Sequence, residues 1–282
     1  MPESRNPHTR LERAIEERFG QRVSVPASVR NAGELARMLE HRSHRAYSDK
    51  PVNEQLLQLL FACALSSPSK SDLQQADILW VVDPAKRQAL AGLIPDMPWV
   101  RSAPVFLVFC ANNRRIRLIS DMRAKPFAND HLDAFMNAAV DAAIVMTTFI
   151  RAASAVGLGC CPISAIRNHA DKVSALLALP KWVFPVAGLC LGYPARSGQI
   201  SPRLPLAVTV HTDGYDETDL AKKIDAYDQR RHMQQPVTKQ RYADLYKPRA
   251  FYGWSEDKAR QYSRPEREDF GRYIRVQGFQ LD

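Results

Sequence analysis

The sequence predicts an α+β protein in which a central mixed sheet of four to five strands is flanked by helices. Short apolar runs rich in Val, Ile and Phe are typical of buried strands, and they lie at residues 78–82, 105–111, 159–163 and 183–191. Segments with helical periodicity alternate with these runs. One apolar helix, at residues 132–156, is long enough to lie at the centre of a core or of a dimer interface.

The first elements are predicted from capping residues and apolar spacing. Residues 1–32 are expected to form an arm, in which residues 11–19 have the pattern of a short charged helix. Asn31 is a candidate N-cap for a helix at residues 33–40, because its side chain can accept a backbone hydrogen bond. Asn53 is a candidate cap for the next helix, in which leucines recur at helical spacing.

A glycine and a proline indicate how two of the later elements end or deviate from regular structure. The long helix is expected to end at Gly157, because glycine readily adopts the left-handed conformation that follows a helix. Asp141 and Arg151 make that helix a poor membrane span, so we predict a buried helix and no membrane association. Pro185 cannot donate a ladder hydrogen bond, which predicts an edge strand or an irregular one.

Composition divides the chain into an arm at residues 1–32, a core at residues 33–205 and a C-terminal extension at residues 206–282. The extension carries a charged helix near residues 216–232 and is too polar to fold alone. We therefore expect it to pack on the core or on a partner subunit.

The protein is basic, with 39 Lys and Arg against 30 Asp and Glu and a formal net charge of +9 over 282 residues. A positive charge favours anionic partners. The basic residues are spread along the chain and become more frequent after Arg230 without forming an arginine-rich tract, which favours a solvated basic surface or phosphate-bearing small ligands over nucleic acid.

Cysteine usage and the N-terminus predict a cytoplasmic protein. No secretory signal is apparent, since residues 1–10 are polar. The chain has five cysteines and no Cys-x-x-Cys, which argues against a disulfide framework and a structural metal site. Buried, reduced thiols are expected at Cys63, Cys110, Cys160, Cys161 and Cys190.

Four stretches have the chemistry of a phosphorylated, planar ligand site. Arg and Ser donate short charge-assisted hydrogen bonds to phosphate, and small residues let backbone N–H groups approach a ring closely. The stretches are His41–Arg45, the polar loop Ser66–Gln74, the turn Gly157–Arg167 and the proline-framed Ser201–Pro205. Each alone also fits an exposed basic turn or a hydrophilic connector.

Familiar catalytic motifs are absent from the sequence. There is no Gly-x-Gly-x-x-Gly, no Walker motif, no His-Glu-x-x-His and no ordered Ser/His/Asp set. His131, His169 and His211 are scattered and are predicted to be structural. We therefore predict no catalytic side chain and no metal, with a bound cofactor carrying any reaction.

Taken in order, these residues resemble the nitroreductase superfamily, and look closest to its larger NADPH-preferring oxygen-insensitive nitroreductases and flavin reductases. The resemblance covers residues 33–282. It rests on His41-Arg-Ser-x-Arg45, Ser67-Pro-Ser-x-x-Asp-x-Gln74, Gly157-Leu-Gly through Ile166-Arg-Asn168, Phe184–Pro194 with Pro202-Arg-Leu-Pro205, and the closing Trp254-Ser and Gln277-Gly-Phe279.

The resemblance implies a nitroreductase-like fold in which two subunits interlock over the helix at residues 132–156, with FMN at the dimer interface. It implies that Arg42, Ser43 and Arg203 hold the phosphate with His41 beside them, and that Arg45 faces the N1/O2 edge of the flavin. It further implies that Pro68, Ser69 and Gln74 line the cofactor from the other subunit, and that backbone amides of Ile163, Ser164 and Ala165 cover the ring near N5.

The implied reaction is a two-step exchange on flavin N5. NADPH or NADH gives a hydride and leaves, and a small aromatic acceptor such as a nitroaromatic, a quinone or free flavin then takes two electrons. In the larger subgroup, basic residues of the C-terminal extension receive the NADPH 2′-phosphate. The candidates for that role here are Lys239, Arg241 and Arg249.

Four positions depart from the family pattern. They are Ser201 where Lys is frequent, Ser164-Ala165 where Gly-Gly is common, Met97 where an amide is expected, and Asp72 where Asn is usual. The substitutions near N5 leave open an FMN enzyme with one dedicated substrate, acting by oxidation or reductive dehalogenation. The net charge of +9 leaves open a non-catalytic flavin-binding or nucleic-acid-associated protein.

Overall fold

A computed structural model describes residues 7–282 of the chain. The helices are α1 (Pro7–Phe19), α2 (Ala32–Leu39), α3 (Glu54–Leu65), α4 (Pro84–Gly92), α5 (Trp99–Ser102), α6 (Arg114–Met122), α7 (Leu132–Ala155), α8 (Ala170–Leu177), α9 (Leu206–Thr209), α10 (Leu220–Gln234), α11 (Trp254–Tyr262) and α12 (Phe270–Val276). The strands are β1 (Ala76–Trp80), β2 (Val105–Asn112), β3 (Gly159–Ile163) and β4 (Val183–Gly192).

The described residues form two compact units whose segments alternate along the chain. The first unit comprises the described residues up to Arg42 together with Gln199–Glu266, and the second comprises Ser43–Gly198 and Arg267–Asp282. These units differ from the three segments predicted from composition, with boundaries after residues 32 and 205. That division stays a prediction about the sequence.

The second unit contains a four-stranded sheet with the strand order β1-β2-β4-β3. The predicted α+β class and strand positions are confirmed. All three strand pairings are antiparallel, so the expectation of a mixed sheet is wrong for the named strands. Apolar runs predict that a strand is buried, but they carry no information on strand direction, which the connecting helices determine.

The sheet lies between two apolar clusters because β2 is buried on both faces. Alternate residues of a strand point to opposite sides of a sheet. Leu107 and Phe109 therefore pack in one cluster with α7, whereas Phe106 and Val108 pack in the other with α4 and α8. This two-sided burial explains why residues 105–111 form an unbroken apolar run.

The long helix α7 supplies much of the first cluster. Its buried side chains recur at helical spacing and are Ala134, Ala138, Asp141, Ala142, Val145, Phe149 and Ala153. Gly157 follows the helix with φ of 78°, which confirms the predicted stop. Helix α7 is long and apolar enough to cross a membrane by length and composition alone. In the structure, the side of α7 that carries these buried residues packs against the sheet.

Two predictions about β4 and the cysteines need correction. Strand β4 lies between β2 and β3, so Pro185 is not on an edge strand. The predicted irregularity is confirmed, because the β2–β4 register shifts opposite Pro185 and the bulge accommodates the missing N–H. Cys63 is exposed, contrary to expectation, since only one side of α3 faces the core, whereas the other four cysteines are buried and free.

The two predicted asparagine caps behave differently. Asn53 accepts a hydrogen bond from the Leu56 N–H at 3.1 Å, as predicted. Asn31 adopts a left-handed conformation with φ of 55° and makes no side-chain cap, so that prediction is wrong. Its carbonyl oxygen accepts from the Glu34 N–H at 2.9 Å instead, which starts the helix through the main chain.

Within the first unit, α1 packs on α2 through a small apolar cluster of Leu11, Ala32 and Ala36. The charged helix expected near residues 216–232 is α10. Within the second unit, the chain terminus joins the core, where Phe279 is 1% exposed and the Trp182 N–H donates to the Gln277 carbonyl at 2.7 Å.

Candidate functional site

In the second unit, Ser43 and His44 of the first motif, His41–Arg45, lie against strand β3. Ser43 forms a bridge with Cys160, and the His44 N–H donates to the Cys160 carbonyl at 2.9 Å. Gly159 makes this approach possible, because a Cβ there would lie 2.7 Å from the His44 ring. The pairing fixes the main chain next to Ser43 and Arg45, whose side chains are exposed.

Arg45 lies beside an aromatic ring and a buried thiol. Its guanidinium carbon is 5.5 Å from the Trp99 ring centroid. Burial raises the pKa of the Cys161 thiol, while the positive charge of Arg45 partly opposes that rise. Cys161 therefore stays protonated near neutral pH, and its sulfur does not neutralise Arg45.

The second motif forms a tight loop between α3 and β1. Ser71, Asp72 and Gln74 all have left-handed backbones, with φ of 48°, 57° and 51°. Such conformations are costly for residues other than glycine and concentrate at functional sites. Ser69 and Gln74 are brought together, since the Gln74 N–H donates to Ser69 Oγ at 3.2 Å. Pro68 is exposed beside them.

A carboxylate that the sequence analysis did not assign to the site holds this loop. Asp141 on α7 is 1% exposed and accepts from the Lys70 N–H at 3.0 Å and the Gln75 N–H at 3.1 Å. A buried carboxylate needs such donors. The signal was visible, because Asp141 is an acidic residue within an otherwise apolar helix.

The loop opens onto a cavity of about 530 Å³ in the second unit. Its lining is mixed, with apolar side chains from α3 and α7 and polar groups from the loop. These polar groups include Ser66, Ser69, Asp72 and Gln74. Ser67 also lines the cavity, and its buried Oγ has no hydrogen-bond partner within the described structure.

The third motif lies where β3 ends. Ile163 is the last residue of the strand, and a 3₁₀ turn begins at Ser164. Ile163 and Ala165 are buried, while Ser164 between them is exposed.

The departure at Met97 has a structural role, because its side chain packs at the edge of the second apolar cluster.

In the first unit, Arg42 and Arg203 lie near a third arginine that the sequence analysis did not identify. Arg18 on α1 is 6% exposed. Its pKa is lowered by burial first and then by the positive charges of Arg203 and Arg42, with Glu17 opposing. The first unit therefore gathers three guanidinium groups, as an anion site requires. No family motif includes the arm, so no sequence signal pointed to Arg18.

Two of the residues predicted to bind the NADPH 2′-phosphate form ion pairs with acidic side chains. Arg241 Nε is 3.0 Å from Asp257 Oδ1, and Arg249 Nε is 3.9 Å from Glu256 Oε1. Lys239 is exposed. Two of the three candidates therefore face carboxylates of α11.

Two of the three histidines predicted to be structural accept main-chain hydrogen bonds. His131 Nδ1 accepts from the Asp133 N–H at 3.4 Å at the start of α7. His211 Nδ1 accepts from the Asp216 N–H at 3.1 Å. Among residues 7–282 no group of three or more His, Cys, Asp or Glu side chains has the geometry of a metal site.

The fold and the ordered motifs define a class of protein. Residues 38–193 match the Nitroreductase family, and residues 201–282 match the Nitroreductase family, C-terminal domain. The chain therefore belongs to the nitroreductase family, and the predicted resemblance is confirmed.

Individual relatives agree with this assignment. The chain is 32% identical over 248 residues to the FMN reductase [NAD(P)H] of Bacillus subtilis, covering 87% of this chain and 97% of that protein. It is 36% identical over 190 residues to the oxygen-insensitive NADPH nitroreductase of Salmonella typhimurium, covering 67% of this chain and 77% of that protein.

Solved structures give the same result. NfrA2 of B. megaterium superposes with a TM-score of 0.80 at 30% identity, covering 88% of this chain and 98% of that one. The NADPH:FMN oxidoreductase from Vibrio harveyi, solved in complex with NAD+, gives a TM-score of 0.75 at 31% identity, covering 87% of this chain and 97% of that one.

Proposed function

We propose that the protein is an FMN-dependent oxidoreductase that takes a hydride from NADPH or NADH and passes it to a small aromatic acceptor. The observation that carries the proposal is the match of both family segments over residues 38–193 and 201–282. Relatives named as an FMN reductase and an NADPH nitroreductase support the cofactor and the donor.

The hydrogen-bond donors of the first and fourth motifs suit the phosphate group of FMN. Guanidinium and hydroxyl groups suit a phosphate monoester, which they bind through charge-assisted hydrogen bonds. We assign Arg42, Ser43 and Arg203 to the phosphate, with His41 beside them. The support is the exposure of Ser43 and Arg203 and the cluster of arginines around Arg18 in the first unit.

The second unit supplies the groups assigned to the ring. Arg45 is assigned to the N1/O2 edge, where its charge favours the reduced, anionic ring. The backbone amides of Ile163, Ser164 and Ala165 are assigned to N5. Pro68, Ser69 and Gln74, which line the cavity, are assigned to the cofactor of the other subunit. When bound, FMN supplies the hydride acceptance and donation that no protein side chain offers.

We further propose that the protein is a cytoplasmic homodimer, and the surface of α7 supports the dimer. One face of α7 exposes Leu132, Met136 and Val140, with exposed fractions of 49%, 54% and 40%. These residues recur every four positions and form an apolar stripe. Exposed apolar stripes of this kind mark protein–protein contacts. We assign this face, with the neighbouring α3, to a second copy of the chain.

Nucleotide selectivity is assigned to Lys239, Arg241 and Arg249. If these residues bind the 2′-phosphate, Lys239→Met and Arg241→Met should raise the KM for NADPH about tenfold or less and leave the KM for NADH unchanged. The exposed Arg22→Met variant serves as a charge-matched control, with an unchanged ratio of the two KM values. Equal changes in the KM values for NADPH and NADH would contradict the assignment of these residues to the 2′-phosphate.

The proposed function is tested with full-length protein reconstituted with FMN. NADPH and NADH oxidation would be followed with a nitroaromatic, a quinone and free FMN as acceptors. The proposal predicts oxidation that requires both bound FMN and an acceptor, with several acceptors serving. Protein that holds FMN but oxidises neither nucleotide with any of them would contradict it.

One alternative keeps FMN but assigns a single dedicated substrate. The observations that favour it are Ser164-Ala165 at the end of β3 and Met97, which packs at the edge of the second apolar cluster where an amide is expected. Turnover with only one acceptor class, or none from the panel above, would favour this alternative.

A further inference from the structure

The N-terminal arm contributes a buried arginine to the first unit. The Arg18 guanidinium donates to three main-chain carbonyls: Nε to Leu39 at 2.5 Å, Nη1 to Ser201 at 3.3 Å, and Nη2 to His41. The His41 and Ser201 carbonyls belong to the two segments assigned to phosphate, and the Leu39 carbonyl lies at the end of α2 just before the first of them. One side chain of the arm therefore joins both segments, which are separated by about 160 residues in the sequence.

The main chain of the arm is tied to the same place. The Arg203 N–H donates to the Arg18 carbonyl at 2.7 Å. Gly20 then turns the chain with φ of 68°, and a Cβ at Gly20 would lie 2.4 Å from Arg230 Cδ. Arg230 in turn donates from Nη2 to the Arg203 carbonyl at 2.6 Å. The arm and α10 thus hold Arg203 from two sides.

Several arginines crowd around Arg18, although the carboxylates of Glu17 and Glu40 lie close enough to Arg18 and Arg42, respectively, to oppose part of their charge. The carbonyls of Leu39, Ser201 and His41 that accept hydrogen bonds from Arg18 are neutral. Arg42 and Arg203 are close enough to lower the pKa of Arg18, after the larger effect of burial. In addition, Arg230 Nη1 and Arg231 Nε are buried without a hydrogen-bond partner in the described structure. Gathering these cations costs free energy that a bound anion offsets.

We propose that Arg18 is a positioning residue for the phosphate of FMN, fixing the main chain beside Arg42 and Arg203 and supplying the positive charge that is missing at Ser201. The inference rests on the proposed function. Arg18 lies outside both family segments, so the arm provides a feature that the family match does not include.

The test compares binding of FMN and riboflavin, which differ only in the phosphate, to full-length protein stripped of flavin. Quenching of flavin fluorescence gives the two Kd values. Arg18→Met should raise the Kd for FMN about tenfold and leave that for riboflavin unchanged. Arg18→Lys, which keeps the charge, should raise the Kd for FMN only about threefold. Arg13→Met, which removes a charge from the exposed face of the same helix, should change neither Kd.

A second-site variant separates charge from simple structural support. Ser201→Lys places an ammonium group beside Arg203, so it should restore at least half of the FMN affinity that Arg18→Met loses. If Arg18→Met does not fold, the Arg18→Lys comparison decides, together with the rise in melting temperature that inorganic phosphate gives to the wild type and to Arg18→Lys. A smaller rise for Arg18→Lys supports the proposal.

The outcomes are distinct. Equal loss of FMN and riboflavin affinity, an unchanged Kd for FMN, or no rescue by Ser201→Lys would overturn the role of Arg18 while leaving the proposed function intact. An equal phosphate effect in wild type and Arg18→Lys would do the same. Wild-type protein that binds neither flavin would overturn the proposed function, and the role of Arg18 with it.

Discussion

The side chain of Asp141 connects helix α7 to the loop that carries Ser69 and Gln74. It was noted in the sequence only as a charge unsuited to a membrane span. The structure explains its presence, because its two carboxylate oxygens accept from the N–H groups of Lys70 and Gln75. These bonds hold in place a loop with three left-handed residues. A polar residue in an apolar helix can therefore be a support for a binding loop.

We predict that Asp141→Asn lowers the free energy of unfolding by about 1–3 kcal/mol, since one of the two N–H donors would face an amide NH2 group. FMN affinity should fall as well, because the loop loses its anchor. Urea denaturation and flavin titration measure the two effects. The exposed Asp121→Asn on α6 is the control. Wild-type stability in Asp141→Asn would show that the buried carboxylate does not hold the loop.

The ion pair of Arg10 and Glu40 predicts a pH dependence in the first unit. Arg10 donates two hydrogen bonds to Glu40, at 2.7 and 2.5 Å, and these bonds chiefly lower the pKa of that carboxyl. Because the folded pKa is the lower one, the stabilisation is present above the unfolded value of about 4.5 and is lost as pH falls through the folded pKa.

Glu40→Gln should therefore cost about 1 kcal/mol or less at pH 7, as is usual for partly exposed pairs. The difference from wild type should shrink steadily below about pH 4.5. Melting temperatures measured across that range provide the comparison, with the exposed Glu268→Gln as control. A difference that stays constant with pH would contradict the ion pair's contribution.

At the scale of elements, α7 has two apolar sides with different roles. One side packs on the sheet, and the other exposes the stripe of Leu132, Met136 and Val140. Burying such a stripe against a second copy would remove apolar surface from water, with a gain of about 25 cal/mol per Å². The proposed homodimer and the proposed FMN site therefore depend on the same helix.

Met136→Arg should give monomers and reduce FMN retention by at least about tenfold, because a charge would replace an apolar contact in the interface. Light scattering after size exclusion gives the mass, and the ratio of flavin to protein absorbance gives retention. Met122→Arg on α6, where the side chain is 74% exposed, should leave both unchanged. A dimeric, FMN-loaded Met136→Arg protein would contradict the assigned interface.

The sequence predicted elements best where burial is uniform. Strand β2 and helix α7 were located within a residue or two, because runs of apolar residues determine their burial directly. The Asn31 cap and the burial of Cys63 were wrong, and of the two alternatives predicted for Pro185, an edge strand or an irregular strand, the structure has the irregular one. Each depends on the neighbours of the residue in space, which periodicity does not contain.

For the whole molecule, motif order predicted the family, and spatial contacts supplied what motifs lack. Residues of the first motif are divided between the units, with His41 and Arg42 in the first and Ser43 and Arg45 in the second. No local pattern indicates such a division. Arg18 could not be predicted for the same reason, since its partners at Leu39 and Ser201 are distant in sequence.

Part of the positive charge of the chain, which is +9 overall, lies at the place assigned to phosphate. In the first unit, Arg18, Arg42 and Arg203 gather at the place assigned to phosphate. We therefore expect the basic character to act on phosphorylated small molecules. Retention on DNA that falls with salt, in protein that binds no flavin, would instead favour the non-catalytic alternative.

The reductive half-reaction tests the central claim most directly. The visible spectrum of the FMN-loaded protein would be recorded without oxygen, before and after one equivalent of NADPH or, separately, NADH. We predict a bound-flavin spectrum that bleaches with at least one nucleotide and recovers when a nitroaromatic or quinone is added. A bound flavin that neither nucleotide bleaches would contradict the assignment as an NAD(P)H oxidoreductase.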